Sequence, residues 1–237
     1  MKIFAILFLI FTSKSYTQVT FNEYKQVKSA LENTYEILRN DNRRLLINAV
    51  SEGLPENYWW NLEVSHASYV NVGDVHHIYL MGGLAREKFM TPDGLALIGC
   101  HELGHGLAGS PFKNPLSAND YLVSVEGQSD YFATKECLKI VFDFLPAMRN
   151  INQSSIYKSL CKHSDVNCLR MLTAIESELN LFQKNTDIVL TVDGTSDIIV
   201  EKINHSPYYY PDPQCRIQTM VHGVLELPRP SCWYTEN

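Results

Sequence analysis

The run His101-Glu102-Leu103-Gly104-His105 constrains this chain more than any other stretch of its 237 residues. Two histidines four positions apart project from one face of an α-helix, one turn from each other. The segment around them is apolar, with Leu95, Leu97, Ile98, Leu103 and Leu107, and unpaired imidazoles on such a helix would be costly to bury. Neutral imidazoles so placed can both reach one Zn²⁺ at about 2.0–2.1 Å. Glu102 lies beside such an ion without needing to bind it. From there it can hold and deprotonate a water whose pKa the metal lowers to about 7.

A catalytic zinc takes a third protein ligand and keeps a fourth position open. No third histidine follows at short spacing, because Ser110-Pro111-Phe112 occupies that region. The apolar pattern Val123, Val125, Phe132, Leu138, Ile140, Val141 and Phe144 predicts a helix over about 119–144. That helix offers Glu126, with Asp130 one turn later on the same face. The natural assignment gives Glu126 to zinc and lets Asp130 accept the outer N–H of a liganding histidine, which orients the ring and raises its basicity. The reverse assignment, Asp130 as ligand and Glu126 as support, stays open.

The rest of the chain reads as α+β, mainly helical, with a small sheet ahead of the central helix. Helical spacing over 21–50 predicts one or two amphipathic helices, ended by Gly53 and Pro55. Extended runs at 62–72 and 76–80 flank the turn signal Gly73-Asp74. Thr91-Pro92-Asp93 provides a helix start for the His101 segment, and Gly109 and Pro111 end it. Further helices are expected at 154–160, 168–182 and 214–226, and 187–192 looks strand-like.

Lys2 followed by a short apolar run over 3–11 and the polar stretch Thr12-Ser13-Lys14-Ser15 has the pattern of an export signal. The expected organisation is therefore a signal peptide at 1–15 and one domain over 16–237. The apolar run is too short to span a membrane, which takes about 20 residues. All six cysteines lie beyond residue 15; an even number in an exported chain suggests disulfides, in any of 15 connectivities. Cys215 with Cys232 is the expected pair, tying the C-terminal tail to the last helix. Cys161 with Cys168 would close a polar loop, although either could bond elsewhere. The formal net charge of −6 points to neither nucleic acid nor an anionic membrane as partner.

Cys100-His101-Glu102-Leu103-Gly104-His105, followed by Glu126-Gly127-Gln128-Ser129-Asp130-Tyr131-Phe132-Ala133, resembles the HELGH…ExxxDxxA pattern of the gluzincin metallopeptidases. The branch of the CAAX-prenyl endopeptidase and the HtpX heat-shock protease looks most similar. The resemblance covers roughly 78–133, with a third element near the C-terminus. It implies a zincin-like fold, one zinc per chain, and hydrolysis of peptide bonds in a polypeptide substrate. The membrane branch has transmembrane helices, whereas this chain, with its export signal and no apolar run long enough to span, looks like a soluble exported form, periplasmic or extracellular. Where the family carries His-Pro-x-x-x-x-Arg, this chain has Tyr210-Pro211-Asp212-Pro213-Gln214-Cys215-Arg216. The resemblance then makes Tyr210 the donor to the oxyanion, since a phenol O–H can replace the family's imidazole; Tyr208 or Tyr209 could serve instead. Arg216 would fix the Asp130 region or orient substrate. Residues 76–80 match the place of the family's edge strand along the cleft, with His76 and His77 expected as exposed strand histidines.

Two other function classes are compatible with the sequence. One is a secreted interaction domain that binds zinc but has lost catalysis, against which an intact Glu102 argues. The other is a disulfide-stabilised structural protein with an accidental HExxH, which bound metal would exclude.

Overall fold

The computed structural model describes residues 18–117, 121–147, 151–161, 165–183, 196 and 198–236. The expected signal peptide at 1–15, the strand-like stretch at 187–192 and the expected helix start at 119–120 lie outside the described residues.

Helix α1, Phe21–Leu38, opens with a capping box in which Thr20 and Glu23 satisfy each other's backbone N–H. It buries Tyr24, Val27, Leu31 and Tyr35, a stripe of helical period. The expected helical continuation to residue 50 is replaced by strand β1, Arg44–Ile47. The polar run Arg39-Asn40-Asp41-Asn42 carries no apolar face to keep the helix packed, and Leu45 and Leu46 find partners in a sheet instead.

After the short helix α2, Tyr58–Asn61, strands β2, Ala67–Val72, and β3, Val75–Leu80, form an antiparallel hairpin. Gly73 makes its turn at φ +59°, the left-handed region that glycine enters without a Cβ penalty. β1 adds to β3 in parallel, so the order is β1-β3-β2. This corrects the expectation for 76–80: β3 is the central strand, and β2 is an edge. His76 is accordingly buried, not exposed, and its Nδ1 lies 2.6 Å from the Tyr69 hydroxyl.

Helix α3, Gly82–Ala85, leads to α4, Pro92–Leu107, whose Thr91 hydroxyl accepts from Gly94 N–H. α4 is buried almost throughout, with α1 and helix α8, Val166–Phe182, packed against it. At its start Asp93 receives two hydrogen bonds from Arg170 of α8, at 2.6 and 2.8 Å. The helix expected to start near 119 starts instead at Glu126. α5, Glu126–Phe132, passes through a π-helical turn, Ala133–Cys137, into α6, Leu138–Phe144. Residues 123–125 stay extended because their backbone bonds to Lys113 N, His105 O and Pro111 O. Helix α7, Ser155–Leu160, precedes α8, and α9, Pro213–Val224, packs on α5 and α8. The architecture is α+β with a three-stranded sheet before the central helix. Among the described residues no helix is long and apolar enough to cross a membrane.

Three disulfides join Cys100 to Cys137, Cys161 to Cys168 and Cys215 to Cys232. The first links α4 to the π-helical turn across 37 residues of sequence. Its loop-closure entropy corresponds to about 4 kcal/mol. Cys100→Ala with Cys137→Ala is expected to lower the unfolding free energy in urea by about that amount; an unchanged midpoint would count against this bond.

Candidate metal centre

α4 and α5 meet closely at Gly104, where an added Cβ would lie 2.9 Å from Ser129 Cα. Any larger residue would push α5 away, and with it Glu126. One ligand atom from each of His101, His105 and Glu126 lies within 4.8 Å of the others, and all three residues are buried. His101 Nε2 is 3.2 Å from Glu126 Oε2, and His105 Nε2 is 3.5 Å from Oε1.

Both rings are held from behind. His101 Nδ1–H donates to Asp130 Oδ1 at 2.7 Å, and His105 Nδ1–H donates to the Ser124 carbonyl at 2.9 Å. A carbonyl and an ionised carboxylate only accept, so the hydrogens sit on Nδ1 and a neutral ring presents its Nε2 lone pair forward. Two such lone pairs and the Glu126 carboxylate converge in a buried site, with Glu126 Oε2 facing His101 Nε2. Electron-rich atoms packed this way repel unless a cation lies among them. The three residues could therefore hold a metal ion.

The local charges agree. Burial opposes charge on His101, but Asp130 and Glu126 outweigh it and draw its pKa up to about 10. Burial and the neighbouring His101 push His105 down to about 3. Burial alone would raise Glu126, yet His101, His105 and Arg216 hold it well below the usual carboxylate range. Without metal, a proton on His101 and the Lys113 side chain beside Glu126 Oε1 thus supply the positive charge of the site, and a metal ion must displace that proton. Metal affinity is expected to rise about tenfold per pH unit between pH 6 and 8, while His101 is still protonated in the metal-free protein. Calorimetric titration across that range checks this; a flat profile would mean that His101 is already neutral.

Glu126, not Asp130, is the carboxylate that converges with the two histidines. Asp130 is fully buried, and its oxygens are engaged by His101 and by Arg216, whose Nε and Nη2 donate at 2.8 and 2.7 Å. Burial raises its carboxyl, but the Arg216 guanidinium and His101 prevail and hold its pKa below the ordinary value. Arg216 thus fixes Asp130 from α9 as a buried pair rather than a surface one.

Glu102 of α4 is buried beside the site without bonding to its other residues, and burial pushes its pKa up to about 7. It lines a cleft of about 1180 Å³ together with the metal-site residues, β2 and the end of α8. Tyr210 reaches the same cleft and is 62% exposed, while Tyr208 and Tyr209 do not line it. The Glu126 charge, then burial, raise the Tyr210 pKa, so its O–H stays a donor.

Two cleft residues escaped sequence reasoning. Lys113 donates to Glu126 Oε1 at 2.7 Å and stands 5.9 Å from the Tyr210 ring centre; a lone lysine in a loop gives no signal. Glu178 of α8 does carry one, because it interrupts the buried face Met171, Ala174 and Ile175 at helical spacing. No protein-family model, curated protein or solved structure matches the chain.

Proposed function

We propose that this chain is an exported zinc-dependent metallopeptidase of the gluzincin type, with a zincin-like fold, that hydrolyses peptide bonds in proteins. The observation that carries this reading is the convergence of two Nε2 lone pairs and the Glu126 carboxylate beside a separate carboxylate, Glu102, in an open cleft. Two nitrogens and one oxygen are the donor set of a catalytic zinc with an open position. A structural zinc site would be closed by a fourth protein ligand and would have no use for Glu102. The sheet ahead of α4, and α5 behind it, support the zincin-like topology. Three disulfides support export to the periplasm or the extracellular space.

His101, His105 and Glu126 would hold the ion, which supplies Lewis acidity toward a carbonyl oxygen and toward water. Glu102 takes a proton from the attacking water and returns it to the leaving nitrogen, so the protons balance over one hydrolysis. Tyr210 donates its O–H to the oxygen that gains negative charge. Asp130 keeps the His101 hydrogen on Nδ1, and Arg216 keeps Asp130 ionised. An extended polypeptide is the substrate class that an open cleft bordered by an edge strand accommodates.

Elemental analysis of protein purified without chelators, paired with digestion of an unfolded protein such as casein, tests the reading. About one zinc per chain and chelator-sensitive cleavage are the expected results. Zinc without hydrolysis across a broad peptide library would favour a catalytically inactive zinc-binding interaction domain. No metal at all would leave a structural protein.

A further inference from the structure

The cleft runs past the metal centre along the last turns of α8 to a carboxylate that the proposed reaction does not use. Glu178 is 8% exposed and forms part of the cleft wall. Its Oε1 is 3.9 Å from Arg216 Nη2, beyond hydrogen-bond reach, and its Oε2 has no partner. Arg216 is already committed, through two donors, to Asp130. Lys113, a half-buried cation that also lines the cleft, is committed to Glu126. A buried carboxylate that only shares a counter-ion, held at 3.9 Å, is costly, and burial outweighs Arg216 and pushes its pKa up. The walls next along the cleft are apolar: Leu181 and Phe182, one turn on from Glu178, and Ile98 of α4. Glu87 adds a second acidic group to the lining.

We propose that this end of the cleft is a subsite for a cationic side chain, lysine or arginine, whose methylene stem packs on Ile98, Leu181 and Phe182 and whose charge meets Glu178. Long basic side chains combine an apolar stem with a charged head, which is the complement of this pocket. A neutral side chain of the same length would fill the apolar part and leave the carboxylate unpaired, so the site discriminates through the charge. That the cation belongs to a peptide substrate rests on the peptidase reading; the pocket itself rests on Glu178.

The test has two arms on the metal-loaded full chain. In the first, matched peptides carry Lys, Arg, norleucine or Glu at each position around the scissile bond. At one position Lys or Arg is expected to exceed norleucine in kcat/KM by about tenfold or more. Glu178→Gln should bring that ratio to about one, and Glu178→Lys should turn the preference toward Glu. A wild type without a basic preference, or a Gln variant that slows all peptides alike, would overturn the subsite. In the second arm, n-butylguanidine and its neutral analogue n-butylurea are titrated by ligand-observed NMR. The guanidine is expected to bind wild type at least about tenfold more tightly than the urea, with that advantage lost in Glu178→Gln. Equal binding of the two by wild type overturns the proposal even if the variant fails to fold. If no peptide is cleaved, the peptidase reading fails while the NMR comparison still decides the subsite. If peptides are cleaved but the guanidine has no advantage, the subsite fails alone.

Discussion

Glu102→Gln is expected to leave zinc content and folding nearly intact while lowering kcat/KM on an unfolded protein substrate by about 10³-fold. The side chain is buried beside His101 but is not one of the three converging ligand groups. Glutamine keeps its volume and polarity and cannot accept a proton from water at neutral pH. The stability side works in the variant's favour. Burial raises the Glu102 pKa to about 7 in the folded chain, above its value in the unfolded chain. In the metal-free chain a raised carboxyl contributes stability at low pH and loses it as pH rises through the folded value, so there, at pH 8, the charge is a burden that glutamine removes. Melting temperature, metal content and digestion rate, measured on one preparation, separate chemistry from structure. Cleavage at the wild-type rate by the Gln variant would sink the proposed mechanism.

The centre was legible in the sequence to the extent that its chemistry repeats at helical spacing. His101 with His105, and Glu126 with Asp130, are both four apart, and each pair lies on a helix that presents it to the other. Arg216 was visible only through the resemblance, because no periodicity links it to Asp130 over 86 residues. Where tertiary partners override local pattern, periodicity alone does not decide the structure. Leu45 and Leu46 have helical spacing relative to Leu38 but belong to β1, paired with β3. Val123 and Val125 fit an amphipathic helix, yet the backbone of 123–125 is held extended by partners at His105, Pro111 and Lys113. That correction matters for the site, because the extended segment delivers the Ser124 carbonyl to His105. The edge of the sheet is set in a similar way: a parallel partner from 44–47 turns β3 from an edge into a centre, and only long-range pairing decides that.

Asp130→Ala and Arg216→Met, made singly and together, are expected to separate the stability of this buried pair from its effect on metal binding. Each single variant strands an uncompensated charge in the interior and should cost about 3–5 kcal/mol. Removing both partners strands neither, so the double variant should cost less than the sum of the singles by about 2 kcal/mol. Glu178, 3.9 Å from Arg216, would soften the Asp130→Ala cost by offering the guanidinium another carboxylate. Metal affinity should follow a different pattern. Without Asp130 the His101 ring loses the acceptor that fixes its Nδ1–H, and affinity should fall about 10–100-fold. The double variant regains stability but still lacks that acceptor, so its metal affinity should stay as low as in Asp130→Ala. Denaturant melts and competitive metal titration on the three variants read the two quantities independently. Recovery of metal affinity together with stability in the double variant would reduce Asp130 to a purely structural residue and remove its role in orienting His101.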